Sequence, residues 1–341
     1  MQDEQSLSQH CGGVAVAAAI SFVMITKDRA HLLQQTLPPI LQYASEHGYE
    51  VIVVDDGSHD QTAEFLYGLS SFHSCLRVIA HTESCGIGRA RNAGLRLATG
   101  EVIVSMDDDV AVDETVLDRA KEAFLLHPSA GIVAPEVRDV KTARHLNGMR
   151  WRNSRASCAA NHHGAFAILR RQAVLATDLI DEECTYGAEE RSLAMKVHAL
   201  GYDIIFDPTF VATHIDIMDR TRPSIERLSM RAYNNVRLNF RYLPRMKAAV
   251  FSARYVSSLL RAAWPATLQG VPRILSAASS GALQGLRQHV DLPERSVRFY
   301  TDPRLCPEYG NVPVRVKVAQ RVRGRCTERR TTGGSEKDTS I

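Results

Sequence analysis

Apolar positions in this chain alternate between two spacings. Ala17 to Ile25, Glu50 to Val54, Leu76 to Ala80 and Glu101 to Met106 contain short runs rich in Val and Ile, the pattern of buried strands. Between them the period changes to that of a helix. Leu32, Leu33, Leu37, Ile40 and Leu41 share one helical face, with Asp28 as the expected N-cap. A second helix carries Ala63, Leu66 and Leu69. A third opens at Gly86-Ile87-Gly88, runs through Ala90, Ala93, Leu97 and Ala98, and is expected to close at Gly100. This βαβαβαβ order predicts an α/β fold: a mostly parallel sheet flanked by helices.

The pattern continues beyond the fourth strand. Asp113 to Leu126 reads as helix, and Ile132 to Val137 and Asp203 to Phe206 read as strands. Leu193, Ala194, Val197 and Leu200 form the apolar face of a helix ended by Gly201. Residues 138–163 are polar and irregular, with Arg144, His145, Arg150, Arg152 and Arg155. They suit a lid, an acceptor-facing surface or an ordinary solvated loop. The expected organisation is a flexible leader at 1–15, an α/β domain at 16–219, a basic helical extension at 220–300 and a largely disordered tail at 301–341.

Composition narrows the class. With 341 residues, 45% of them hydrophobic and 23% charged, and a net charge of +3, the chain reads as globular and not as a nucleic-acid binder. The charge is unevenly spread. Arg227 to Val290 contains nine arginines, one lysine and no acid. Within it, Met246 to Trp264 places Val250, Phe251, Val256, Leu259 and Leu260 among Lys247, Arg254 and Arg261. Such a helix suits a peripheral contact with an anionic membrane surface, or packing on the α/β domain with a solvated basic face. The apolar stretch Val14 to Ile25 is too short to span a bilayer and reads as the first core strand. The seven cysteines (11, 75, 85, 158, 184, 306 and 326) are scattered, without a CxxC pair. They fit free thiols in a reducing, cytoplasmic compartment better than disulfides or a zinc site. His162-His163 is a weak candidate for chelation, since adjacent histidines need further ligands.

The candidate chemistry lies at the strand ends. Asp107-Asp108-Asp109 follows the fourth strand, and on an ideal strand Asp107 and Asp109 point the same way. Neighbouring carboxylates repel unless positive charge separates them, and oxygen ligands favour Mg or Mn. The plain alternative is a solvated acidic turn. Asp28 and Asp56 also follow strands, and ligands of open α/β sheets bind beyond those ends. The first βα turn, Thr26-Lys27-Asp28, lacks glycine, and the turn at Gly86 lacks the last glycine of G-x-G-x-x-G. Both argue against a nicotinamide or flavin cofactor.

Five segments together resemble the family 2 glycosyltransferases, which have the GT-A fold. They are Ser21 to Arg29, Val51 to Ser58, Gly86 to Gly94 with Ala98-Thr99-Gly100, Asp107-x-Asp109, and Gly164 through Arg170-Arg171 to Leu193. The resemblance runs from about Ala17 to His214. It implies inverting transfer of a sugar from a nucleotide-diphosphate donor to a glycan, lipid-linked or small-molecule acceptor. By the same resemblance Asp56, then Asp55, would meet the nucleobase, with Thr26 nearby. Asp109 and Asp107 would hold Mg or Mn, completed by His214. Asp108 would face the ribose or sugar. Arg91 would add positive charge, or pin its helix to the sheet. The general base would be Glu190, with Glu189 the alternative; the family's usual residue there is Asp. A sugar-nucleotide nucleotidyltransferase and a non-catalytic sugar-nucleotide-binding protein are the rival readings. The first is disfavoured by the missing phosphate loop and the second is motivated by the Glu-for-Asp change.

Overall fold

A computed structural model describes residues 20–140, 156–215, 224–263, 270–302 and 305. The leader at 1–15, nearly all of the tail at 301–341, the arginine-bearing part of the 138–163 loop and Trp264 lie outside the described residues.

The expected alternation is present. It runs β1 (Ile20–Thr26), α1 (Ala30–His47), β2 (Glu50–Asp55), α2 (Thr62–Ser70), β3 (Leu76–Ala80), α3 (Ile87–Leu97) and β4 (Val102–Asp107). These four strands pair in parallel in the order β3-β2-β1-β4. The second half is mixed: β5 (Val110–Val112), α4 (Glu114–Ala120), α5 (Ala123–Leu126), β6 (Ala130–Asp139), β7 (Ser157–Cys158), β8 (Phe166–Arg170), α6 (Arg171–Leu175), α7 (Glu189–Ala199) and β9 (Asp203–His214). β8 runs antiparallel between β4 and β6, and β9 lies parallel to β6. Side-chain alternation divides the core. Ile20, Phe22, Met24, Val104 and Met106 meet the buried face of α1, while Val23 and Ile103 meet the core beneath α3, α6 and α7.

Several local expectations are corrected. Asp28 does not cap α1; it sits at φ 52 and its Oδ1 accepts the His59 N–H, leaving Arg29 at the cap position. α3 ends at Ala98 in an extended conformation, and the Gly100 N–H donates to Ser21 Oγ. The helix expected over Asp113 to Leu126 breaks at Lys121-Glu122 into α4 and α5. The strand at Asp203 continues past Pro208 to His214 by a register shift against β6.

The extension comprises α8 (Ile225–Tyr242), α9 (Arg245–Ala263), α10 (Val271–Arg287) and α11 (Glu294–Thr301). α8 and α10 touch backbone to backbone. A Cβ on Gly281 or Gly285 would stand 2.4 Å from the carbonyl oxygens of Tyr233 and Arg237, so glycine sets that approach.

Candidate active site

β4 presents its side chains to alternate faces, and this sorts the aspartates. Ser105 and Asp107 face α3, where Arg91 pairs with Asp107. Asp108 faces α1: its Oδ2 accepts from Thr26 Oγ1 at 2.7 Å, and its carbonyl accepts from Thr36 Oγ1 at 2.7 Å. The strand stops at Asp107, so ideal alternation ends before Asp109. Arg29 Nη1 bridges Asp108 and Asp109 at 2.8 and 2.7 Å. Asp109 still feels the charge of Asp107, so the two carboxylates stay near each other although the strand ends between them. Asp108 is held by Thr26 and Arg29.

Pairing of β5 with β9 sets Val110 opposite His214, and the Ile215 N–H donates to Asp109 O. His214 Nε2 thereby lies 3.4 Å from Asp109 Oδ1. That carboxylate oxygen is buried without a hydrogen bond. Burial pushes Asp108 up to about 7 against the pull of Arg29, and it raises Asp109 against the pull of His214. A buried, electron-rich pair beside an imidazole is a donor set that suits a divalent cation.

On the other face, Arg91 is buried and spans two elements. Its Nη1 donates to the Gly164 carbonyl at 2.7 Å while its Nη2 holds Asp107. The Glu190 carboxylate packs on Gly164, where an added Cβ would lie 2.6 Å from Glu190 Oε1. Glu189 and Glu190 open α7 as expected, after Gly187 and Ala188 at φ 75 and 79. Burial and then the Glu190 charge push Glu189 up to about 8. Burial also raises Glu190, opposed by its own backbone N–H, Arg91 and Arg231. Asp107 and Arg91 act on both glutamates, so the triplet and the glutamate pair share one electrostatic environment.

Asp55 and Asp56 end β2 and are both engaged. Asp55 Oδ1 accepts from the Ser58 N–H and hydroxyl, closing a turn. Asp56 Oδ2 accepts from Ser84 Oγ at 2.6 Å and the Gly86 N–H at 3.1 Å; its Oδ1 accepts from the Cys85 N–H at 2.8 Å. Burial alone would raise Asp56, but these bonds hold it down at about 2. Thr26 joins this end to the triplet: its carbonyl accepts the Asp56 N–H and its hydroxyl donates to Asp108.

The extension builds the glutamate loop from behind. Asn234 donates to the carbonyls of Tyr186 and Gly187, both at 3.1 Å. Arg237, wholly buried, pairs with Asp181, and so does Arg241. Arg227 and Arg231 lie over the Tyr186 ring. Sequence reasoning assigned no role to Arg29, Asn234, Arg237 or Asp181. The one available signal was Arg29 next to Asp28 at a strand end.

Comparison with known proteins adds the following. Residues 21–182 match the family model described as Glycosyl transferase family 2. The poly-beta-1,6-N-acetyl-D-glucosamine synthase of Staphylococcus epidermidis is 24% identical over 203 residues, covering 55% of this chain and 48% of that protein. The synthase of the same name from Staphylococcus aureus is 26% identical over 201 residues, covering 55% and 48%. The chain thus spans about half the length of these curated relatives. Among solved structures, S. aureus TarS 1–349 superposes with a TM-score of 0.55 at 18% identity, covering 84% of this chain and 83% of that one. The mannosyltransferase PcManGT from Pyrobaculum calidifontis, in complex with GDP-Man and Mn2+, gives 0.51 at 20% identity over 79% and 76%. At these identities the likeness to solved structures establishes the fold.

Proposed function

With residues 21–182 forming a family 2 glycosyl transferase domain on a GT-A fold, we propose that the protein is an inverting enzyme moving a sugar from a nucleoside-diphosphate donor to an acceptor hydroxyl. One observation carries this reading. The Asp107 to Asp109 triplet, His214 and the Glu189-Glu190 pair come from distant parts of the chain yet meet around Arg29 and Arg91 at one rim of the sheet. The acceptor oxygen attacks the anomeric carbon as the bond to the diphosphate breaks, and its proton passes to Glu190. Glu190 is preferred to Glu189 because its carboxylate packs on Gly164, whose carbonyl Arg91 holds, and because Arg231 joins Arg91 in favouring its ionised form against burial. Thr26, Asp55 and Asp56 form the base end of the donor cleft.

The residues present fit a divalent metal. Arg29 Nη1 marks a point where positive charge is stabilised between Asp108 and Asp109, and Asp109 Oδ1 has no hydrogen bond of its own. Asp109 and His214, with Asp107 and Asp108 beside them, would hold Mg or Mn. When bound, the metal supplies neutralisation of the charge gathering on the departing nucleoside diphosphate.

The extension's outer side fits a peripheral membrane role. Arg245, Lys247, Arg254, Arg261, Arg273 and Arg287 are exposed, as are Met246, Val250, Leu275 and Leu283. That composition suits an anionic lipid surface, where a lipid-linked acceptor would be found. Among the described residues no helix is long and apolar enough to cross a membrane.

The test is release of nucleoside diphosphate from a panel of nucleotide sugars, with Mn2+ and candidate acceptors. One donor should be consumed, and Glu190→Gln should stop release while leaving donor binding intact. Pyrophosphate as the product would instead identify a nucleotidyltransferase. Binding without release by any acceptor would identify a binding protein.

A further inference from the structure

At the base end, Asp56 is grouped with two side chains, His81 and Cys85, to which sugar transfer assigns no role. Asp56 Oδ1 and His81 Nδ1 lie 3.2 Å apart, Cys85 Sγ and Asp56 Oδ1 3.1 Å, and Cys85 Sγ and His81 Nδ1 3.1 Å. The three residues follow β2, follow β3 and precede α3, so topology and not sequence proximity assembles the triangle. We propose that Asp56, His81 and Cys85 form a binding site for a soft divalent cation of the zinc type, separate from the carboxylate-rich site at Asp109 and His214.

The chemistry of the donors supports this. A thiolate, an imidazole and a carboxylate make the mixed S, N, O set that zinc selects, whereas the triplet offers mainly oxygen. The geometry is close to what is needed. Bonds of about 2.0 Å to N and O and about 2.3 Å to S place tetrahedral donors roughly 3.3–3.6 Å apart. The triangle therefore opens by a few tenths of an ångström, within the reach of side-chain rotation. The scaffold is already built. Asp56 is oriented by the Ser84 hydroxyl and the Gly86 N–H, and the His81 N–H donates to the Asp55 carbonyl at 2.9 Å. Such outer partners fix ligand orientation. Charge also balances: a thiolate and a carboxylate neutralise a divalent ion, and binding releases the thiol proton to solvent. His81 and Cys85 are half-buried, which leaves an entry path and an open fourth position for water.

A cation here would occupy the carboxylate oxygen that the proposed donor reading assigns to the base end. Zinc would then weaken donor binding. This consequence rests on the proposed function, but the site itself does not.

The test titrates the metal-stripped full chain with Co2+ alone and follows absorbance. The expected result is one equivalent giving a near-ultraviolet thiolate-to-cobalt band and intense tetrahedral d–d bands, displaced by Zn2+. Cys85→Ser should abolish the thiolate band, and His81→Ala should weaken binding at least about tenfold. Asp109→Asn should leave the bands unchanged. Cys75, Cys158 and Cys184 are also free thiols and remain in the Cys85→Ser chain as internal controls. Circular dichroism of Cys85→Ser establishes that the near-isosteric variant is folded. Absence of a thiolate band, or its persistence in folded Cys85→Ser, overturns the site. A folded chain that binds Co2+ through Cys85 but releases no nucleoside diphosphate keeps the site and discards the sugar-transfer reading. Co2+ binding with donor affinity indifferent to Zn2+ overturns the regulatory consequence alone.

Discussion

Two arginines compensate the acids of this cleft, and they do so differently. Arg91, on α3, is 5% exposed at its side chain and is locked between Asp107 and the Gly164 carbonyl. Arg29, at the start of α1, is 31% exposed and bridges Asp108 and Asp109 with a single nitrogen. The Arg91 side carries the glutamates, and its charge balance is built into the core. The Arg29 side carries the carboxylates proposed to face the donor, and its counter-charge is partly exposed. Fixed compensation suits a base that must keep one geometry. Exchangeable compensation suits a site where one cation replaces another.

The largest effect should come from the fixed side. Glu190→Gln removes the proposed proton acceptor with little change in size against Gly164. Turnover should fall by about 10²–10⁴, the usual contribution of general base catalysis. Donor affinity, read by thermal shift, should change little. If turnover survives while Glu189→Gln abolishes it, the two glutamates exchange roles and the Arg91 side keeps its meaning.

Arg91→Met tests whether that compensation is structural. Removing one partner of a buried pair strands the other, at a cost of about 3–5 kcal/mol, and the lower end applies because Asp107 is 31% exposed. The urea midpoint should drop accordingly. An unchanged midpoint would show that Arg91 is as dispensable as a surface arginine and would erase the contrast.

These roles divide by how far each depends on chain order. The parallel strands, their acidic ends and the glutamates opening α7 follow from local periodicity, and they stand where the pattern predicts. β8 was not legible, because five residues of Phe-Ala-Ile-Leu-Arg do not separate strand from helix without the neighbours β4 and β6. Arg29 and its aspartates are 79 and 80 positions apart, and Arg237 and Asp181 are 56 apart, so no local pattern joins them. The acid-free basic stretch misled in part. Arg237 and Arg241 turn inward to Asp181, and composition alone does not distinguish inward from outward arginines. The described cysteines are free thiols as the spacing suggested, and only the fold brings Cys85 to His81 and the distant Asp56.

Asp108 sharpens the comparison through pH. Its carboxyl titrates near 3.9 when unfolded and at about 7 when folded. Between those values the folded chain holds a proton that the unfolded chain has lost. This group's contribution therefore lowers stability as pH rises from about 4 to about 7, and the loss levels off above. Asp108→Asn should flatten that part of the curve of urea midpoint against pH. A slope of equal steepness in the variant would place the titrating group elsewhere, with Glu189, pushed up to about 8, the next to test.

Arg29→Ala should be the mildest change and the one that completes the contrast. Its guanidinium is partly exposed but the two carboxylates it bridges are buried, so these are not surface pairs; the cost is limited because Asp108, which titrates at about 7, takes up a proton when its partner is lost. Loss of the guanidinium also leaves Asp108 and Asp109 facing each other, a repulsion that protonation of one of them relieves. A small fall in the urea midpoint is expected. The opposite sign is expected for metal binding. With their guanidinium partner gone, the carboxylates should take up Mn2+ more tightly, read as the loss of free Mn2+ signal by electron paramagnetic resonance. Weaker Mn2+ uptake in Arg29→Ala would mean that Arg29 orients the aspartates rather than competing for them. The two arginines would then be alike in kind, differing only in exposure.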